Sequence, residues 1–155
     1  MKAANHLDLK SLFESYQSDI YRFAFVIVRN DQLAQDIVQE VFVKALQHSD
    51  QLRDHKKTKV WLLAIAKNTA YDLLDKHSRE ASNLQMVFSI TGHTDEKQFE
   101  FSEMIECLSE TDRQIVTLHI VNGLKHHEIS EAVNLKPGAV RKRYSRALIL
   151  IKKNL

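Results

Sequence analysis

The side chains best suited to a chemical role are cations near the C-terminal end of the sequence. Seven lysines and arginines follow Ala132, and no acidic residue occurs between that position and the last one. Such side chains reach guanine edges and phosphates when their helix lies in a DNA major groove. We therefore interpret this segment as a DNA-reading helix whose candidate contacts are Lys136, Ala139, Arg141, Lys142, Arg143, Ser145 and Arg146.

Two helices joined by a tight turn would position these side chains. Ile129 and Val133 lie on the apolar stripe of a short first helix, and Asn134 tolerates the left-handed conformation of a sharp turn. Pro137 suits the first turn of the next helix, where its missing N–H is not needed. The spacing predicts a helix-turn-helix over residues 124–151. The alternative interpretation is a solvated basic face on an ordinary helix, and the turn residues argue against it.

Three earlier stretches have apolar residues at helical spacing: Leu9 to Ile27, Leu33 to Ala45 and Trp61 to Leu73. Their facing stripes predict a small bundle. With only 3 Gly and 1 Pro, the chain is expected to be all-α. We predict two small helical domains, an N-terminal bundle at 1–79 and a C-terminal helix-turn-helix domain at 103–155. Residues 80–102 lose the periodicity and are predicted to form a flexible linker.

Composition argues against several classes of protein. The single cysteine, Cys107, excludes an intramolecular disulfide framework, and its neighbours suggest a buried position. The N-terminal residues lack the apolar run of a signal peptide, and no segment approaches the length of a membrane span, so we expect a cytoplasmic protein. His119, His126 and His127 have no recognised metal-ligand spacing, and no phosphate loop or nucleophile elbow occurs. We expect no enzymatic activity, cofactor or metal.

Two stretches of the N-terminal half resemble a known family. AQDIVQEVFVKAL at 34–46 and VWLLAIAKNTAYDLLDKHSR at 60–79 resemble the second conserved region of sigma factors. Residues 103–155 resemble the fourth region, and this pair is typical of the extracytoplasmic-function group of the sigma-70 family. The resemblance implies a promoter-recognition subunit of bacterial RNA polymerase, monomeric when free and without a small-molecule substrate. Its implied partners are core polymerase, promoter duplex, the −10 single strand and an anti-sigma factor.

The resemblance also implies roles for particular residues. The second helix would dock on the clamp of the largest polymerase subunit through Asp36, Gln39, Glu40 and Val43. The following loop and helix would recognise and open the −10 element, with candidate contacts at Arg53, Lys56, Lys57, Lys59, Lys67, Asn68 and Asp72. The C-terminal recognition helix would read the −35 element. Trp61 could stack on a base, although its place on an apolar stripe favours core packing.

Two other functions fit the same residues. A stand-alone repressor or activator could use the same helix-turn-helix, although such proteins usually dimerise and no dimerisation helix is visible. An adaptor could bind a sigma factor or polymerase without touching DNA. The recognition helix argues against an adaptor, because it is rich in cations and free of acids.

Overall fold

The computed structural model describes residues 8–81 and 96–155, and all regular structure in these ranges is helical. The helices are α1 (Leu9–Val28), α2 (Asp31–Gln47), α3 (Thr58–Ala81), α4 (Glu96–Met104), α5 (Glu110–Ile120), α6 (His126–Val133) and α7 (Pro137–Lys153). Two 3₁₀ turns, Ser49–Gln51 and His55–Lys57, connect α2 to α3. The predicted all-α class is confirmed. Within the described ranges, none of the helices is both long enough and apolar enough to span a bilayer.

Helices α1 to α3 form the N-terminal unit, a three-helix bundle. α1 ends where Arg29 adopts a left-handed conformation with φ 53°. The side chain of Asn30 then accepts a hydrogen bond from the backbone N–H of Leu33 at 2.9 Å, which begins α2. Each helix turns an apolar stripe toward the others, and the largest fully buried side chains are Ile20, Phe23, Phe25, Ile37, Val41, Leu62 and Leu63.

Helices α4 to α7 form the C-terminal unit. Ser109 is the N-cap of α5, and its side chain accepts a hydrogen bond from the N–H of Asp112 at 3.3 Å. Asn134 has φ 59° between α6 and α7, and Pro137 is the first residue of α7. Both agree with the turn chemistry predicted from the sequence, and the two helices make the predicted helix-turn-helix.

The structure departs from the sequence analysis before α5. α4 begins at Glu96, inside the range predicted to be linker. Phe101 and Met104, three residues apart, pack on an apolar cluster formed by Val26, Ile105, Leu108, Val116, Ala147 and Ile151. Packing on other helices therefore supports a short helix that sequence periodicity does not show. The rest of the predicted linker, residues 82–95, lies outside the described residues.

Cys107 is exposed, so its predicted burial is wrong. Ile105 and Leu108, which flank it in sequence, are the side chains that point inward.

The two units pack against each other. One apolar cluster contains buried residues of α1 to α3 together with residues of the C-terminal unit: Ile115, Leu118, Leu124, Ile129, Ala132, Val133 and Val140. α6 lies on α3 and α5 lies on α1. The C-terminal unit therefore covers one side of the N-terminal bundle.

Candidate nucleic-acid and protein interfaces

The acidic face of α2 is formed by Asp36, Gln39, Glu40 and Val43. All four are exposed, whereas the opposite stripe of α2 is buried. The Nε2 of Gln32 donates to Oδ1 of Asp36 at 3.0 Å, which holds that carboxylate in place. The sequence pattern thus correctly separated the exposed and buried sides of this helix.

An apolar margin extends the acidic face. Val43 is 49% exposed and Leu46 is 55% exposed, unusual values for large apolar side chains. Leu46 was missed by the sequence analysis, although it continues the helical spacing of Gln39 and Val43. A groove of about 300 Å³ runs beside this face between α1 and α2, lined by Phe13, Gln17, Tyr21, Gln35, Val38 and Gln39. The face therefore combines carboxylates, amides and exposed apolar surface, which suits protein docking.

The residues predicted to contact the −10 element lie in the connection from α2 to α3 and along α3, and we call them the basic face. Arg53 and Lys56 are exposed in the connection, and Asn68 and Asp72 are exposed along α3. Lys57, Lys59 and Lys67 were predicted to belong to the same face, but each contacts another part of the chain. Lys59 lies nine positions before Asn68 and therefore on the opposite side of α3, so the seven predicted residues do not all share one side of the helix.

An open cavity of about 480 Å³ lies at the start of this face, lined by Gln51, Leu52, Arg53, Asp54, Lys57, Val60, Trp61, Ala64 and Glu131. Its volume is in the range of small-ligand pockets. Trp61 is half-buried, because it packs on the apolar cluster and also forms part of the cavity wall. Glu131 comes from α6, so the C-terminal unit completes the wall. No local sequence signal connects residue 131 to this loop.

The recognition helix α7 presents an open basic surface. Gly138, Arg141, Lys142, Ser145 and Arg146 line a shallow depression of about 380 Å³ on its exposed side. Lys136 precedes the helix as its exposed N-cap residue, and Ala139 is half-buried. These predicted residues lie together on the first three turns of the helix, where a groove-reading helix carries its contacts.

Arg143 does not belong to the open basic surface of α7. Its Nη1 lies 3.0 Å from Oδ1 of Asp112 on α5, and the Asp112 side chain is only 17% exposed. No acidic residue follows Ala132 in the sequence, yet the structure provides Arg143 with an acidic partner. The partner comes from a helix that is adjacent in space and 31 positions away in sequence. Arg143 ties α7 to α5.

The histidines of the C-terminal unit take part in packing. His119 and His126 stack with ring centroids 4.9 Å apart, and Tyr144 meets both rings edge-on. His119 Nδ1 lies 2.9 Å from the carbonyl oxygen of Leu124. Burial lowers the pKa of His126, and the charges of His119 and Arg141 lower it further. The three rings therefore join α5, α6 and α7, and their packing favours the neutral form of His126.

The described helices thus combine an exposed acidic face on α2 with a basic helix-turn-helix, a combination expected of a DNA-binding protein that also has a protein partner. The family model for sigma-70 region 2 matches residues 12–80, and that for sigma-70 region 4 matches residues 98–151. The chain is 31% identical to the RNA polymerase sigma factor SigV of Bacillus subtilis (strain 168), over 93% of this chain and 89% of that protein. It is 27% identical to the ECF RNA polymerase sigma factor SigM of the same organism, over 83% of each chain.

A solved structure agrees with the sequence relatives on the fold. The sigma factor RpoE from Bartonella quintana, in complex with the anti-sigma factor NepR, matches with a TM-score of 0.81 and 22% identity. The match covers 94% of this chain and 95% of that one. The chain belongs to the extracytoplasmic-function group of the sigma-70 family and is an RNA polymerase sigma factor. A stand-alone regulator is not favoured, because both sigma regions match in their usual order.

Proposed function

We propose that this sigma factor uses three separate surfaces to bring core polymerase to a promoter. The acidic face of α2 docks on polymerase, the basic face of α3 engages the −10 element, and α7 reads the −35 element. The observation that supports the proposal most directly is the exposure of Asp36 and Glu40 on α2, of Arg53 and Lys56 before α3, and of Arg141, Lys142 and Arg146 on α7. The chain is not itself an enzyme, needs no cofactor and works in the cytoplasm, where polymerase supplies the chemistry.

Docking on polymerase would use charge and apolar contact together. Asp36 and Glu40 lie one helical turn apart and so address the same partner surface. A basic partner helix, as the resemblance implies for the polymerase clamp, would be attracted to these carboxylates. Val43 and Leu46 would add apolar area at the edge of the contact.

Strand opening at the −10 element would draw on the basic face. Arg53 and Lys56 are free to neutralise phosphates of the displaced strand. Asn68 offers both a donor and an acceptor to a base edge. Extruding a base costs a few kcal/mol, so binding energy from the cavity beside Trp61 can supply it without nucleotide hydrolysis.

Reading of the −35 duplex would depend on the open side of α7. Arg141 and Arg146 can each make bidentate contacts to guanine, while Lys142, Ser145 and Lys136 hold phosphates. The methyl group of Ala139 suits apolar contact with a thymine methyl. Arg143 is left out of this surface because of its ion pair with Asp112.

We also propose that an anti-sigma factor controls the chain. RpoE from Bartonella quintana, with which this chain shares its fold, was solved bound to such a protein.

Reconstitution tests the proposal directly. Purified chain added to core polymerase should start transcripts at discrete promoter sites that neither component uses alone. A chain that fails to bind core polymerase would contradict the docking proposal. Binding without site-specific initiation would contradict the assignment of the two DNA surfaces.

A further inference from the structure

Three aromatic rings hold the recognition helix against the rest of the C-terminal unit. The rings of His119 on α5 and His126 on α6 lie nearly parallel, with an interplanar angle of 8° and centroids 4.9 Å apart. Tyr144 of α7 meets His119 at 4.7 Å and His126 at 5.2 Å, edge-on in both cases. Stacked and edge-to-face geometries are the favourable ones for aromatic rings. We call these three side chains the ring cluster.

Tyr144 lies among the side chains assigned to DNA. It follows Arg141 by three positions on α7 and comes directly before Ser145. Arg141 and Ser145 line the open depression on the outer side of the helix, whereas Tyr144 is half-buried and packs on both apolar clusters. The ring cluster therefore anchors the turns that carry the candidate −35 contacts. A displacement of Tyr144 would move the donors of Arg141 relative to the base edges.

The hydrogen bonds of the ring cluster suit a neutral His126. A carbonyl oxygen only accepts, so Nδ1 of His119, 2.9 Å from the carbonyl oxygen of Leu124, is the donor of that pair. Nδ1 of His126 is buried, and within the part of the chain that the structure describes it has no hydrogen-bond partner. A neutral ring can keep its proton on Nε2. An imidazolium carries a proton on both nitrogens, and its Nδ1–H would be buried without an acceptor.

The surroundings of His126 also oppose a positive charge on its ring. Burial lowers the pKa of His126, and the charges of His119 on α5 and Arg141 on α7 lower it further. On α6 itself, the carboxylate of Glu128 accepts from the backbone N–H of Lys125 at 2.8 Å. Proton uptake by His126 therefore works against the packing that fixes α7.

We propose that His126 is a positioning residue for −35 recognition, whose neutral ring keeps Tyr144 and α7 in the DNA-reading position and whose protonation weakens binding of promoter duplex. The proposal rests on the proposed role of α7 at the −35 element. Charge alone predicts the opposite, because an added cation near DNA phosphates strengthens binding. The ring cluster thus makes −35 reading sensitive to mild acid.

Two variants of His126 separate packing from charge. His126→Phe keeps an aromatic ring between His119 and Tyr144 but cannot take up a proton. His126→Gln also cannot be protonated, and it keeps the test valid if Phe fails to pack. His127→Gln removes the same ionisable group from the exposed neighbouring position and is the matched control. Circular dichroism checks that each full-length chain is folded at both pH values used.

The measurement is the affinity for a labelled duplex, selected from a random library by the parent chain at about pH 7.5. Each chain is titrated at about pH 7.5 and about pH 5.5, and the acid affinity is divided by the neutral one. This ratio should be about three- to ten-fold higher for both His126 variants than for the parent chain. It should not rise for His127→Gln. A ratio equal to or below that of the parent in a folded His126→Gln chain is what charge alone predicts, and would overturn the positioning role.

Nuclear magnetic resonance of the free full-length chain gives a measurement without DNA. The Cε1–H resonance of His126 should titrate with a midpoint below 6.5, and the ring resonances of Tyr144 should shift with the same midpoint. A Tyr144 ring that does not respond would overturn the inference even if DNA binding were acid-sensitive. If Tyr144 responds but the parent chain selects no sequence at neutral pH, the proposed role of α7 fails, and the positioning role with it. The two failures are therefore distinguishable.

Discussion

The two basic faces of this sigma factor differ in what lies next to them. On α7, Arg141, Lys142 and Arg146 surround an open depression. On the other face, Lys57 before α3 and Lys59 and Lys67 on α3 lie against oxygen atoms of the same chain. We therefore expect the free protein to bind duplex DNA through α7 rather than through α3. Four predictions test this contrast, from the largest expected effect to the smallest.

The first prediction concerns docking on core polymerase through the acidic face of α2. The double substitution Asp36→Lys and Glu40→Lys should abolish co-purification with core polymerase, because two like charges facing a basic partner cost several kcal/mol of binding. Promoter-specific transcription should be lost with it. Helical content should be unchanged, since exposed substitutions shift stability by about 0.5 kcal/mol or less. Full polymerase binding by the folded variant would place docking on another surface.

The second prediction separates two arginines of α7. Arg141→Ala should relax discrimination at one −35 position by about 1–3 kcal/mol, measured by competition binding with single-base variants of a bound promoter. Arg143→Ala is the matched control, since its guanidinium faces Asp112. We expect the control to keep the base preference. If Arg141→Ala weakens binding to all sequences equally, its contact is to phosphate.

The third prediction compares a lysine from each basic face. Lys142→Ala should lower the salt dependence of duplex binding by about one counterion, because each phosphate contact releases one. Lys57→Ala should leave that slope unchanged in the free chain, since Lys57 is paired with Glu131. Titrations of the free protein against a duplex at several salt concentrations give both slopes. Equal slopes for the two variants would remove the contrast between the faces.

The fourth prediction is a modest dependence of stability on pH. Because the folded protein holds the pKa of His126 below its ordinary value of 6.5, the unfolded chain takes up a proton that the folded chain does not. The free energy of unfolding should therefore fall as pH falls below 6.5. His126→Gln should reduce this loss, whereas His127→Gln, at the exposed neighbouring position, should not. Thermal unfolding at several pH values measures both.

The sequence predicted the local backbone structure of this molecule better than it predicted which parts of the chain pack against each other. Asn134 and Pro137 were sufficient to place the turn of the helix-turn-helix, because backbone conformation at such positions depends on the residue itself. The ion pair of Arg143 and the exposure of Cys107 were not predictable, since both depend on neighbours distant in sequence. The same holds for the contact between the two units, where Asn122 donates a hydrogen bond to Asp19, 103 positions away in sequence. Hydrophobic periodicity indicates that a face is buried, but it does not show which residues cover that face.

The apolar cluster common to both units has a consequence for folding. Leu124 and Ile129 are buried among residues of α1 to α3. Neither unit can therefore unfold without exposing apolar surface of the other. Backbone amides of α6 should then resist hydrogen exchange nearly as well as those of α1, and heating should give one calorimetric transition.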